Sequence, residues 1–136
     1  MANVRKETMK KYNISPHRFM ELYHFCLQYN EWKDELKYKS NTLKSPQISE
    51  GSAAVGDVSD STAKLAMRRA ELQKKCELIE QTAIETDADI YQYILKAVTN
   101  EGITYNYLKT VCEIPCGKDM YYDRRRKFFY LLSQKT

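Results

Sequence analysis

Four glycines and three prolines in 136 residues are few. Their scarcity argues against a chain built from tight hairpin turns; with Leu, Lys, Glu, Tyr and Ala frequent, helices are expected. No stretch approaches the roughly 20 consecutive apolar residues that a membrane-spanning helix needs. The basic opening "MANVRKETMKKYNISPH" has no apolar run behind it and does not read as a secretory signal, so a cytoplasmic setting is expected. Cysteine is sparse too: Cys26, Cys76, Cys112 and Cys116 are scattered without a CxxC pair, which suits reduced thiols. The two histidines, His17 and His24, lie far along the chain from Cys112 and Cys116, so a four-ligand metal site is not expected, nor is any cofactor. GxSxG, Walker, HExxH and glycine-rich strand–helix motifs are all missing, and the carboxylates are spread over helix faces. An enzyme is therefore not expected.

What is present fits one small folded domain with an appendage. Hydrophobic residues make up 43% and charged residues 29%, which is too apolar for a disordered chain. The net charge of +4 is unevenly placed. Residues 1–45 carry nine Lys/Arg against five Asp/Glu, residues 46–101 six against ten, and residues 102–136 seven against three. An acidic middle between two basic ends points to the ends as the parts that meet an anionic partner.

Ser15-Pro16 is a helix start, with Ser as N-cap and Pro at the first helical position. Phe19, Leu22, Tyr23, Cys26, Tyr29, Trp32 and Leu36 then recur at helical spacing, predicting one amphipathic helix to residue 39. Residues 40–60, rich in Ser, Gly, Asn and Asp, read as a long loop or linker. A central helix follows over 61–84, with an apolar seam of Leu65, Leu72, Cys76, Ile79 and Ala83 flanked by Ala66, Met67 and Ala70. That seam suits a neighbouring helix or a homodimer. The remainder reads as helices over 87–99 and 104–112 and a last one from Cys116 to Ser133. Gly102 ends the first of these in a left-handed cap, and Thr104 caps the second. Tyr105, Leu108 and either Val111 or Cys112 are its buried residues. The fold class expected is all-α. Its parts are an N-terminal helix (1–39), a linker (40–60) and a central helix leading into a tri-helical helix-turn-helix (61–136).

The last helix holds "RRRK", Arg124 to Lys127, between aromatic pairs. At about 100° per residue, with Met120 as zero, Leu131, Arg124, Phe128, Tyr121 and Leu132 fall between about 20° and 120°. That sector is the expected packing face, with Met120, Phe128, Leu131 and Arg124 as structural residues and Lys127 at its edge. Arg124 then needs a carboxylate, with Asp87, Asp89 and Glu101 as candidates. Lys118, Tyr122, Arg125, Arg126 and Phe129 fan out on the other side. An outward set of Lys, Arg and Tyr early in a helix after a turn suits phosphates and base edges. Lys109 and Asn106 would add backbone contacts. A solvated face is the plainer alternative.

The segment "DSTAKLAMRRAELQKKCELIEQTA" with "ILKAVTNEGITYNYLKTVCEIPCGKDMYYDRRRKFFYLL" resembles phage late-gene transcription regulators of the ArpU/RinA type, whose C-terminal part is similar to region 4 of bacterial sigma factors. Gly102-Ile103-Thr104-Tyr105 with Leu108 stands where that family has its first motif. Cys116, Asp119, Met120 and Tyr121 stand where it has Ser, Thr, Val or Phe, and Tyr, ahead of the basic run. Cys116 departs from the family's capping Ser, and Phe128-Phe129 from its smaller Ala-Leu. The likeness covers residues 58–133. It implies a sequence-specific regulator of transcription that binds double-stranded promoter DNA and contacts RNA polymerase. Two other readings stand beside it: a phage antagonist that blocks a host nucleic-acid machine, and a DNA-packaging helix-turn-helix protein.

Overall fold

The computed structural model describes residues 11–43 and 55–136, with the side chains of all but 39–43 and 55–59. Among the described residues there are helices and no strands, as the all-α expectation has it. The helices are α1 (Pro16–Leu27), α2 (Tyr29–Leu43), α3 (Val55–Thr86), α4 (Tyr91–Thr99), α5 (Tyr105–Thr110) and α6 (Lys118–Lys135). The chain forms two compact units, Met1–Gln28 with Leu78–Thr136, and Tyr29–Glu77. These units do not follow the boundaries expected at residues 39 and 61.

In the first unit, Ser15 caps α1 by accepting the Arg18 N–H at 3.2 Å, with Pro16 opening the helix. The expected single helix to residue 39 is instead two helices. Gln28 interrupts it: its N–H bonds the Phe25 carbonyl at 3.3 Å, and its side-chain amide bonds the His24 carbonyl at 3.3 Å. A one-residue break leaves the apolar spacing almost in phase, so the pattern reads straight through it.

Asp87 delays the next helix. Its carboxylate accepts the N–H groups of Asp89 (2.9 Å) and Ile90 (3.3 Å), an Asx turn that moves the start of α4 from the expected Asp87 to Tyr91. Gly102 has the expected left-handed backbone, φ 78°. The Thr104 hydroxyl accepts the Tyr107 N–H at 3.1 Å and caps α5.

Between α5 and α6 run residues 111–117, longer than the three or four residues of a typical helix-turn-helix turn. Glu113 takes a left-handed conformation there, φ 59°. Ile114 turns inward, 6% exposed, and its N–H bonds the Leu108 carbonyl at 3.0 Å. The Tyr105 hydroxyl donates to the Cys116 carbonyl at 2.7 Å and closes the turn. Helix α6 then begins at Lys118 rather than Cys116, with Gly117 as N-cap.

Helix α1 packs on α4 and α6, and α4 on α6. Leu22, Cys26, Ile94, Val98, Phe128, Phe129 and Leu132 are all buried; each such side chain is worth about 1.5–3 kcal/mol of apolar burial. A smaller cluster of Ala97, Leu108, Ile114 and Tyr121 fastens α5 and its turn to α4 and α6, with Cys112 and Cys116 packed against it. Of the Val111/Cys112 alternative, Cys112 faces in and Val111 is 63% exposed. The end of α6 is tied twice. Arg18 donates to the carbonyls of Ser133 and Thr136, each at 3.3 Å, and Lys135 pairs with Glu85 and reaches the Thr82 hydroxyl at 3.2 Å. The Arg18 guanidinium at those last carbonyls suits a helix C-terminus.

The second unit is α2 with the α3 residues up to Glu77. Glu35 pairs with Arg68 at 3.0 Å, and Lys75 lies 5.3 Å from the Trp32 ring centre. The later α2 residue meets the earlier α3 residue, so the helices run antiparallel. Of the expected seam, Leu72 and Cys76 are buried, Leu65 is half-buried, and Ala66, Met67 and Ala70 at its flanks are exposed. Helix covers residues 40–43 and 55–60 of the linker expected over 40–60; the rest of it, 44–54, lies outside the described residues. The central helix is correspondingly longer than 61–84.

Candidate nucleic-acid interface

The four basic residues of the run meet different surroundings. Arg124 is the paired one, as expected of a guanidinium beside the core. Its Nε donates to Asp87 Oδ2 at 2.9 Å and its Nη1 to Asp123 Oδ2 at 2.6 Å. Among the three candidate carboxylates Asp87 is the partner. Burial alone would raise the Asp87 carboxyl. The hydrogen bonds from Arg124 and from the N–H groups of Asp89 and Ile90, with the guanidinium charge, hold it below its ordinary value. The Asp87 hydrogen bond in turn raises Arg124.

Arg125 corrects the expectation. Its guanidinium carbon lies 5.6 Å from the Phe19 ring centre and 5.2 Å from that of Phe129, a cation held between two rings. Phe129, also expected outside, is 1% exposed; it meets Phe19 edge-on at 4.9 Å and Phe128 at 5.2 Å. The buried residues of α6 are Phe128, Tyr121, Leu132 and Phe129, with half-buried Arg125 among them, from about 80° to 180° on the same wheel, a rotation of about 60° from the expected sector. Phe128 keeps its structural role. Met120 is 40% exposed and Leu131 half-buried, so both sit on the rim instead of in the packing face. The cause is α1: Phe19 covers a side of α6 that the helix's own sequence leaves looking free.

Arg126 is half-buried, and among the described residues its Nε is the buried side-chain polar atom without a hydrogen-bond partner. No carboxylate of the described residues pairs with it. Lys127, half-buried, lies on the flank. Lys118 is exposed in the first turn of α6. Tyr122 is half-buried, packed on the small cluster and edge-on to Tyr121 at 4.9 Å. On α5, Asn106 and Lys109 are exposed. No side chain caps α6 at Gly117, leaving its first N–H groups open to an anion. All six expected contact residues keep exposed or half-buried positions on this unit; Arg125, half-buried like Arg126, differs in lying against the Phe19 and Phe129 rings.

Two contacts had no signal in the spacing. Lys96 Nζ lies 5.7 Å from the Tyr107 ring centre, and Tyr12 meets Tyr130 at 5.7 Å. Both join segments distant in sequence. Burial pushes the Cys26 thiol up to about 12, although the charge of Arg125 opposes it, and burial together with Asp87 raises Cys116. Burial likewise takes the Tyr121 phenol up to about 12.

No family model matches the chain, and neither a curated protein nor a solved structure matches it. The likeness to ArpU/RinA-type regulators rests on the residues quoted above.

Proposed function

We propose that the C-terminal helices bind double-stranded DNA through the first half of α6, in the manner of a transcription regulator. Arg126 and Lys118 are the cationic contacts, Tyr122 sits between them, and Asn106 and Lys109 of α5 hold the flanking backbone. The observation that carries this reading is Arg126. Its neighbours Arg124 and Arg125 have internal partners, two carboxylates for one and two rings for the other. Arg126 has neither a carboxylate among the described residues nor a partner for Nε. A guanidinium with no carboxylate partner among the described residues, two turns into a helix whose start has no side-chain cap, is chemistry matched to phosphate oxygens and guanine edges.

The test is fluorescence anisotropy with labelled duplexes over a salt series. Arg126→Ala is expected to weaken binding about tenfold or more, equivalent to about 1–3 kcal/mol, with thermal stability within about 1 kcal/mol of wild type. Arg125→Ala is expected to do the reverse, lowering stability first. Unchanged affinity of Arg126→Ala for every duplex tried would sink the assignment.

A second reading has its own support. Val111 at 63% and Met120 at 40% exposure border the turn and Tyr107 stands 36% exposed on α5, apolar surface suited to a protein partner such as RNA polymerase or another host machine. Binding that falls steeply with added salt favours DNA; tight, salt-tolerant capture of a protein without DNA favours the second.

A further inference from the structure

Half-buried Tyr130 stands one turn beyond Arg126 on α6, on the same side of the helix. Lys127, three residues before it, borders the same surface. From ahead of α1, Tyr12 brings a second half-buried ring, its centre 5.7 Å from that of Tyr130 and tilted by 53°. Lys11 Nζ lies 5.1 Å from the centre of the Tyr12 ring. Two rings thus share their surroundings with three cations, Lys11, Arg126 and Lys127. The helical neighbours of Tyr130, Arg126 and Lys127 before it and Ser133 and Gln134 after it, include no carboxylate. Asp123 is taken by Arg124 at 2.6 Å and Glu21 of α1 by Arg18. Exposed Asp119 lies about 16 Å back along the helix.

An aromatic pair among cations suits a ligand that is anionic and carries a flat ring of its own. A nucleotide is both, with a phosphate for Arg126 and a base for the tyrosine rings. A base inside a duplex does not offer its face, because the next base pair covers it. Spacing points the same way. Tyr130 follows Arg126 by about 6 Å along α6, against about 3.4 Å between phosphates along one strand of a duplex. A strand that leaves the duplex unstacks, lengthens and bares its ring faces. Tyr130 also continues the line of Lys118, Tyr122 and Arg126, which follow one another at four-residue steps.

We propose that Tyr130 and Tyr12, with Lys11, Arg126 and Lys127 around them, bind an unpaired nucleotide of a strand that leaves the duplex beyond Arg126. The base stacks on the tyrosine pair and its phosphates meet the cations. The proposal rests on the duplex-binding reading above and names the ligand of that site more narrowly, as a duplex with a single-stranded extension.

The experiment uses the full chain and two labelled probes, a blunt duplex of about 20 base pairs and the same duplex with an overhang of about ten thymidines on one strand. Wild type is expected to bind the overhang probe about tenfold more tightly, the order of effect of one stacked base. Tyr130→Ala and Tyr12→Ala should each reduce that preference to about twofold or less, with blunt-duplex affinity and the thermal unfolding midpoint near wild type. Tyr130→Phe keeps the ring and should keep the preference. Arg126→Ala should weaken binding of both probes. Equal wild-type affinity for the two probes overturns the unpaired-base site and leaves the duplex site standing. So does a preference that survives both alanine variants. A wild-type chain that binds neither probe overturns both readings.

Discussion

Helices α1, α4 and α6 each pack on the other two, so Phe128, Phe129 and Leu132 are closed over and less than 2% exposed. In the other unit two antiparallel helices share one seam. Leu72, Cys76 and Trp32 are buried there, yet Met67 stays 72% and Tyr38 63% exposed. The difference is geometric. Three helices around a common axis enclose a volume, whereas two enclose only a strip, and a strip cannot cover the outer flanks of its own helices. The contacts at the edges of the hairpin, Glu35 with Arg68 and Lys75 over Trp32, set register more than they add stability.

The largest expected effect tests this contrast directly. Phe129→Ala should cost about 3–5 kcal/mol in urea unfolding, because it opens a cavity beside Phe19 and Phe128 and strips a ring from Arg125. Leu65→Ala, on the half-buried part of the hairpin seam, should cost less than about 2 kcal/mol. Equal losses would show the two units to be packed alike.

Asp87→Asn comes next, at about 2–3 kcal/mol, since it leaves Arg124 with only Asp123 and weakens the turn before α4. Its pH signature has a definite sign. The Asp87 carboxyl is lowered from its ordinary 3.8 in the folded chain, so its contribution is complete above that value and is lost as pH falls through the lower folded one. Wild type should lose stability across that acid window, and the variant should lose less there. The smallest effect is in the hairpin: Arg68→Gln with Lys75→Gln should cost under about 1 kcal/mol, and less at high salt.

Much of the local architecture could be read in advance because its causes are local. Ser15 and Thr104 cap, Gly102 turns left-handed, and Leu22, Leu72, Leu108 and Phe128 bury, each for reasons contained within a few neighbours. The pairing of Arg124 was also legible, since a cation on a packing face demands a carboxylate. What escaped was set by distant residues. Phe129 and Arg125 face inward because Phe19 arrives from the other end of the chain to cover them. The break at Gln28 keeps the apolar phase, so no periodicity betrays it. The length of the 111–117 turn depends on Ile114 finding a place beside Leu108 and Tyr121, which a pattern of residue types does not encode.

The clasp of Phe19 and Phe129 around Arg125 bears on how this chain can be dissected. A fragment that starts after α1 would bare a greasy ring next to a permanent positive charge, a combination prone to cling to any acidic polymer and to itself. Binding measured on such a shortened piece would report that bared face and not the surface that the intact chain presents.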